Sequence, residues 1–132
     1  MADLAASFAK LLVTDADRSV AFYEALGFVL TERDAVFARL RWTNGADLFL
    51  VRQPAGQTLE GRRAVGVLVC FRTEGVDTLA GWARAAGARV DGPTDQPWHT
   101  REIVVTDPDG YRLNFLESSW PEQEALELRK EG

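Results

Sequence analysis

Apolar and polar positions change period several times along the chain, and each change marks an element. FAKLLVT, from Phe8 to Thr14, reads as a strand. Asp15 or Asp17 can cap the helix that follows. Its broad face carries Ser19, Phe22, Tyr23 and Leu26, with Val20 at the edge, and Phe22 and Tyr23 are read as core. Gly27 ends that helix where positive φ is needed. Phe28 to Thr31, Val36 to Trp42 and Asp47 to Val51 are then three short strands, the last two joined at Asn44-Gly45, a hairpin signal. Gln53 to Arg63 has no apolar period and reads as a linker.

The second half repeats the first. Val65 to Phe71 is a predicted strand, and Val76 to Ala86 a helix with the stripe Val76, Leu79, Trp82, Ala83 and Ala86, ended by Gly87. Gly27 and Gly87 stand 60 residues apart, an offset that lays Leu68 on Phe8 and Gly75 on Asp15. Thr100 to Leu116 holds two runs of period two joined by Asp107-Pro108-Asp109-Gly110, a turn in which Pro108 presets φ and the aspartates can bond nearby N–H groups.

The fold expected is therefore α+β. Residues 1–132 form one domain of two tandem βαβββ modules, about 7–52 and 64–117, around the linker 53–63. A single module is too small to bury both faces of its sheet, so the two should pair edge to edge around a cupped half-barrel. In the tail, 118–132, Ser119 and Glu122 have capping-box spacing, so a short helix is expected, with a frayed tail as the alternative. Trp120 is read as its anchor.

Composition narrows the function classes. With 46% hydrophobic and 27% charged residues the chain reads as soluble, and no apolar run approaches a membrane span. The first residues lack a basic start and a long apolar segment, so a cytoplasmic location is expected. A net charge of -5 with no large basic cluster argues against general nucleic-acid binding. The single cysteine, Cys70, excludes an internal disulfide framework.

The strand, DPDGY and second strand around Asp107 to Tyr111 resemble the closing signature of the vicinal-oxygen-chelate superfamily, which holds glyoxalase I, extradiol dioxygenases, fosfomycin-resistance enzymes and bleomycin-resistance proteins. VTDADRSVAFYEALGF, Val13 to Phe28, resembles its opening signature. The resemblance implies a cup that binds the ligand, often completed by a second subunit in a homodimer. In the family's metalloenzymes His, Glu or Gln from the opening and closing strands of each half hold a divalent ion. Those positions fall here at Phe8, near Phe49, at Leu68 and at Asn114. Three are hydrocarbon and one is a neutral amide, a set that supplies no ligand charge or imidazole nitrogen. The only histidine, His99, cannot make a cluster, and Glu117 should point away from Asn114. No metal and no cofactor are expected.

If Phe8 faces the cup, as the resemblance implies, strand alternation adds Lys10 and Leu12, and likewise Cys70 and Arg72 beside Leu68, Val51 beside Phe49, and Leu116 beside Asn114. Trp98, in the loop DQPWHTRE beside His99, either lines the cup as a stacking surface or tucks under the hairpin. Trp42 ends a strand and can serve core or site, whereas Trp82 is read as core. Lys10 and Arg72 are either mouth residues that snorkel or a clamp for a carboxylate or phenolate. Cys70 has no base in the sequence to activate it and is read as a buried, inert thiol rather than a nucleophile.

The function expected first is metal-independent binding of the bleomycin-resistance type, a homodimer that sequesters a planar aromatic molecule such as an antibiotic. The alternative is a lyase, isomerase or dioxygenase of the same fold with unorthodox metal ligands. A third reading is a vestigial cup serving as an interaction module.

Overall fold

A computed structural model describes residues 7–42, 45–54, 56 and 64–118. Asn44, most of the linker, and everything from Ser119 onward, including Trp120 and the expected tail helix, lie outside the described residues.

The order is β1 (Ala9–Val13), α1 (Ala16–Ala25), β2 (Val29–Arg33), β3 (Phe37–Arg41), β4 (Asp47–Arg52), β5 (Val69–Arg72), α2 (Val76–Ala85), β6 (Arg89–Asp95), β7 (Thr100–Thr106) and β8 (Arg112–Ser118). Two four-stranded mixed sheets result, ordered β1-β4-β3-β2 and β5-β8-β7-β6. In each, the first strand pairs in parallel with the last and the other pairs are antiparallel. This is the α+β architecture of two tandem modules.

Local chemistry sets the boundaries. Asp15 caps α1, its carboxylate accepting the Arg18 N–H at 3.1 Å. Gly27, at φ 109, turns the chain back into β2, and a side chain there would meet the Trp42 ring at 3.5 Å. The N-cap of α2 is Gly75, which has no side chain, so the Glu117 carboxylate accepts its N–H at 2.8 Å from the end of β8. β6 shifts register between Asp91 and Thr94, where Gly92 passes so close to β7 that a Cβ would stand 2.7 Å from the Glu102 carbonyl oxygen.

Three expectations change. β5 begins at Val69 rather than Val65, because residues 64–66 form a turn closed by the Val67 N–H on the Ala64 carbonyl at 2.9 Å, leaving Val65 and Val67 exposed. Trp82 is 51% exposed, not core: the buried stripe of α2 is Val76, Leu79, Ala80 and Ala83, and Trp82 lies on its flank while Ala86 is the exposed C-cap. The sheets also do not pair edge to edge. No ladder joins them among the described residues, and the modules meet through side chains on their helical sides.

Those side chains make one core from both modules. Phe28 of the first meets Phe71 of the second edge-on at 5.3 Å, Trp42 lies 5.9 Å from Phe115, and Phe71 stacks on Phe115 at 5.2 Å. Beside them is a polar latch. The buried Tyr23 hydroxyl donates to Asp107 Oδ2 at 2.6 Å, while Asp107 Oδ1 accepts the N–H groups of Asp109 and Tyr111 at 2.9 and 2.8 Å. The Tyr111 hydroxyl donates to the Leu12 carbonyl at 3.0 Å, and Asp109 accepts the Thr14 hydroxyl at 2.8 Å. Burial pushes the Asp107 carboxyl above its ordinary value, and the Tyr23 hydroxyl and two N–H groups pull it back.

Removing the Tyr23 hydroxyl leaves a buried carboxylate oxygen without that partner. Tyr23→Phe is therefore expected to lower the free energy of unfolding by about 2 kcal/mol, and Tyr111→Phe by about 1 kcal/mol because its acceptor is an uncharged carbonyl. Urea unfolding measures both, and a Tyr23→Phe midpoint equal to that of the native chain contradicts the latch.

Candidate functional site

Because the inner faces of both sheets share one core, each sheet keeps an outer face turned away from the helices. On β1 Leu11 and Val13 are buried while Lys10 is exposed; on β4 Leu48 and Leu50 are buried while Phe49 is only half-buried. The same alternation on β5 and β8 turns Cys70 and Arg72 outward beside Asn114 and Leu116, with Phe71, Leu113 and Phe115 inward.

The outer face of the first sheet is aromatic and ion-paired. Lys10, Phe49, Arg39 and Glu32 follow one another across the strands in register. Phe8, half exposed, leans on Phe49 with ring centres 4.3 Å apart, and Phe37 meets the same ring edge-on at 5.0 Å. The Arg39 guanidinium lies 5.7 Å from the Phe49 centre and bonds Glu32 and Asp47, each at 3.2 Å. Arg41 joins Asp47 at 3.0 Å, and hydrogen bonds from Arg41 and Arg39 hold the Asp47 carboxyl down to about 2.

A different face covers the second sheet. Two rows cross it in register, Cys70 with Asn114, Val104 and Asp91, and Arg72 with Leu116, Glu102 and Thr94. Asn114 is buried at 5% exposure, its amide donating to the Ile103 carbonyl at 3.1 Å, with the Cys70 sulfur 3.6 Å from its oxygen. Trp98, 62% exposed, reaches from the β6–β7 loop to this face and donates its indole N–H to Glu102 Oε2 at 3.0 Å. The Thr100 hydroxyl donates to the same oxygen. Bonds from Thr100, Trp98 and Asn114 hold the Glu102 carboxyl below its ordinary value against partial burial.

The residues singled out from sequence thus separate. Phe8, Lys10 and Phe49 share the first outer face; Cys70, Arg72, Asn114, Leu116 and Trp98 share the second. Leu68 precedes β5 and is half exposed, its carbonyl 3.8 Å from the Cys70 sulfur. His99 occupies the loop at φ 64, its backbone N–H on the Gln96 carbonyl at 3.0 Å. Two assignments are corrected. Trp42 is not on either outer face but buried between Phe28 and Phe115, and Cys70 is exposed rather than buried, because among the described residues nothing packs over the outer face of β5. Glu102, Arg39 and Phe37 lie on strands β7 and β3, outside the opening and closing strands to which the family pattern points. The signal existed: with Ile103 facing the core, Glu102 must face out.

The donor set does not suit a divalent ion. Phe8, Phe49 and Leu68 offer no donor atom, Asn114 is engaged by Ile103 and Cys70, and among the described residues no three His, Cys, Asp or Glu side chains converge. No helix among the described residues is long and apolar enough to cross a membrane. An open pocket of about 470 Å³ lies on the other, helical side, against Arg18, Phe22, Ala86, Arg89 and Pro108, and includes none of the outer-face groups.

Comparison with known proteins matches this geometry. An uncharacterized protein of Mycolicibacterium smegmatis is 36% identical over 117 residues, covering 87% of this chain and 95% of that one. A bleomycin-binding protein solved in complex with bleomycin superposes with a TM-score of 0.67 at 23% identity, over 87% of this chain and 99% of that one. TnmS3, an antibiotic binding protein from Streptomyces sp. CB03234, superposes with a TM-score of 0.69 at 25% identity, over 90% of this chain and 100% of that one. The sequence profile of one family spans residues 5–115, both modules and the DPDG turn between β7 and β8, and by that match the chain belongs to the Glyoxalase/Bleomycin resistance protein/Dioxygenase superfamily.

Proposed function

We propose that the chain is a metal-independent, cytoplasmic binding protein that sequesters a planar aromatic molecule, such as an antibiotic, between the outer faces of its sheets. The observation that carries this reading is Trp98: a tryptophan 62% exposed to solvent is held by Glu102 at the outer face of the second sheet, where an aromatic ring can stack on it. The bleomycin-binding and antibiotic-binding relatives support the ligand class. Function here is affinity, with no bond made or broken.

Within one chain the two outer faces point away from a shared core, and among the described residues no element packs over either. A homodimer that sets the Phe8–Phe49 face of one protomer against the Trp98–Asn114 face of its partner closes both into clefts. It also removes the half-exposed Phe8 and Leu68 from water. Lys10 and Arg72 then stand at the mouths, their stems over apolar wall and their charges in solvent.

Two outcomes follow. Plasma mass spectrometry of untagged protein is expected to find divalent metal at background, with the same melting temperature before and after chelator dialysis. Near-stoichiometric metal whose removal lowers the melt favours a metalloenzyme instead. Tryptophan-fluorescence titration with bleomycin and planar antibiotics is expected to give saturable quenching by at least one, weakened about tenfold by Trp98→Ala through loss of stacking and apolar contact. No saturable response across the panel, or full affinity without Trp98, contradicts the proposal.

A further inference from the structure

An exposed loop tryptophan is ordinarily free to change rotamer, and a ligand that stacks on it must then bear the entropy of ordering it. Trp98 is tethered. Its indole N–H, the only polar atom of the side chain, is taken by Glu102 Oε2 at 3.0 Å. The acceptor stands in the middle of β7, in register with Thr94 on one side and Leu116 on the other, so it is fixed by two ladders. The Thr100 hydroxyl donates to the same oxygen and orients the carboxylate. The loop itself is closed at both ends, by the Gln96 N–H on the Thr100 carbonyl at 2.8 Å and the His99 N–H on the Gln96 carbonyl at 3.0 Å. Gly92 lets β6 pack directly on the Glu102 backbone.

We propose that Glu102 is a positioning residue that holds Trp98 in place before any ligand arrives, making it a preformed platform that offers a ring face and no hydrogen bond. This deepens, and rests on, the reading of the outer faces as the ligand site. Its consequence for ligand class is specific. The platform receives a flat ring by stacking, and a ligand gains nothing from an acceptor atom aimed at the indole nitrogen. The anionic Glu102 beside it disfavours a carboxylate placed there.

The test needs no ligand. In a nitrogen-15 spectrum of the full chain, the Trp98 indole N–H is identified by its loss in Trp98→Phe, and its exchange with water is measured. Exchange at least about tenfold slower than that of a solvent-exposed indole is expected, as for a hydrogen bond to a charged acceptor. Glu102→Leu is expected to abolish this slowing and move the resonance, while Glu102→Gln, whose amide oxygen still accepts, keeps most of it. Backbone amides outside residues 94–116 should stay in place in all variants. If Glu102→Leu does not fold, Thr100→Val, which removes only the orienting hydroxyl, is expected to speed exchange by a smaller factor. Trp98 exchange as fast as a free indole in the native chain overturns the proposal, as does exchange unchanged in these variants. A slow Trp98 signal in a protein that binds no planar compound leaves Glu102 its role and refutes the binding function alone; a fast signal in a protein that does bind refutes the platform alone.

Discussion

The arrangement depends on one buried carboxylate. Asp107 accepts the Tyr23 hydroxyl from α1 and two N–H groups from its own turn, so one side chain both shapes the DPDG turn and ties the modules together. Taking a carboxylate out of water is costly unless its lone pairs are occupied, and three donors occupy them here. The neighbouring bonds, Asp109 to Thr14 and Tyr111 to the Leu12 carbonyl, hold the end of β1 against the same turn. With α1 docked on the hairpin, Phe28, Trp42, Phe71 and Phe115 close into one core on the helical sides of both sheets. Once the helical faces share a core, the opposite faces are left open among the described residues.

Two modules of one design have then been given different surfaces. On the first sheet Arg39, Arg41, Glu32 and Asp47 neutralise one another around Phe49, so that face is a set of rings in a closed ion-pair network. Salt links of this exposure contribute little stability, and their effect here is to hold the side chains in place around the rings. On the second sheet Glu102 accepts from Trp98 and Thr100, with Arg72 and Asp91 on the same face. Ring surface is thus present on both faces, Phe8, Phe37 and Phe49 on the first and Trp98 on the second.

Much of this was legible in the chain. The offset of 60 between Gly27 and Gly87 also relates α1 to α2, Ala16–Ala25 to Val76–Ala85, because each helix is ended by a glycine in the left-handed region and preceded by a strand of the same phase. Period-two alternation placed Lys10, Phe49, Cys70 and Asn114 on outer faces, since each is flanked in sequence by residues that pack into the core. What alternation cannot supply is how much packs over a position. Cys70 alternates as expected yet is exposed, and Trp42 ends its strand at a point where the partner module, invisible in local pattern, covers it. Trp82 lies on the flank of its helix, whose buried stripe runs through Val76, Leu79, Ala80 and Ala83. β6 carries no apolar alternation, being RVDGPTD with a bulge, and was implied only by the repeat. Glu102 was readable from the phase of Ile103, but its bond to Trp98 joins a loop to a strand and needed the structure.

The central claim is that ligand binds on the outer faces and not on the helical side. The most direct measurement is a map of backbone amide shifts as a planar antibiotic is titrated into labelled protein. Shifts concentrated in Cys70 to Arg72, Trp98 to Val104 and Asn114 to Leu116, with the helices unmoved, are the predicted result. Shifts concentrated instead around Arg18, Ala86 and Arg89, the walls of the helical-side pocket, would contradict the account and move the site to the seam between the modules.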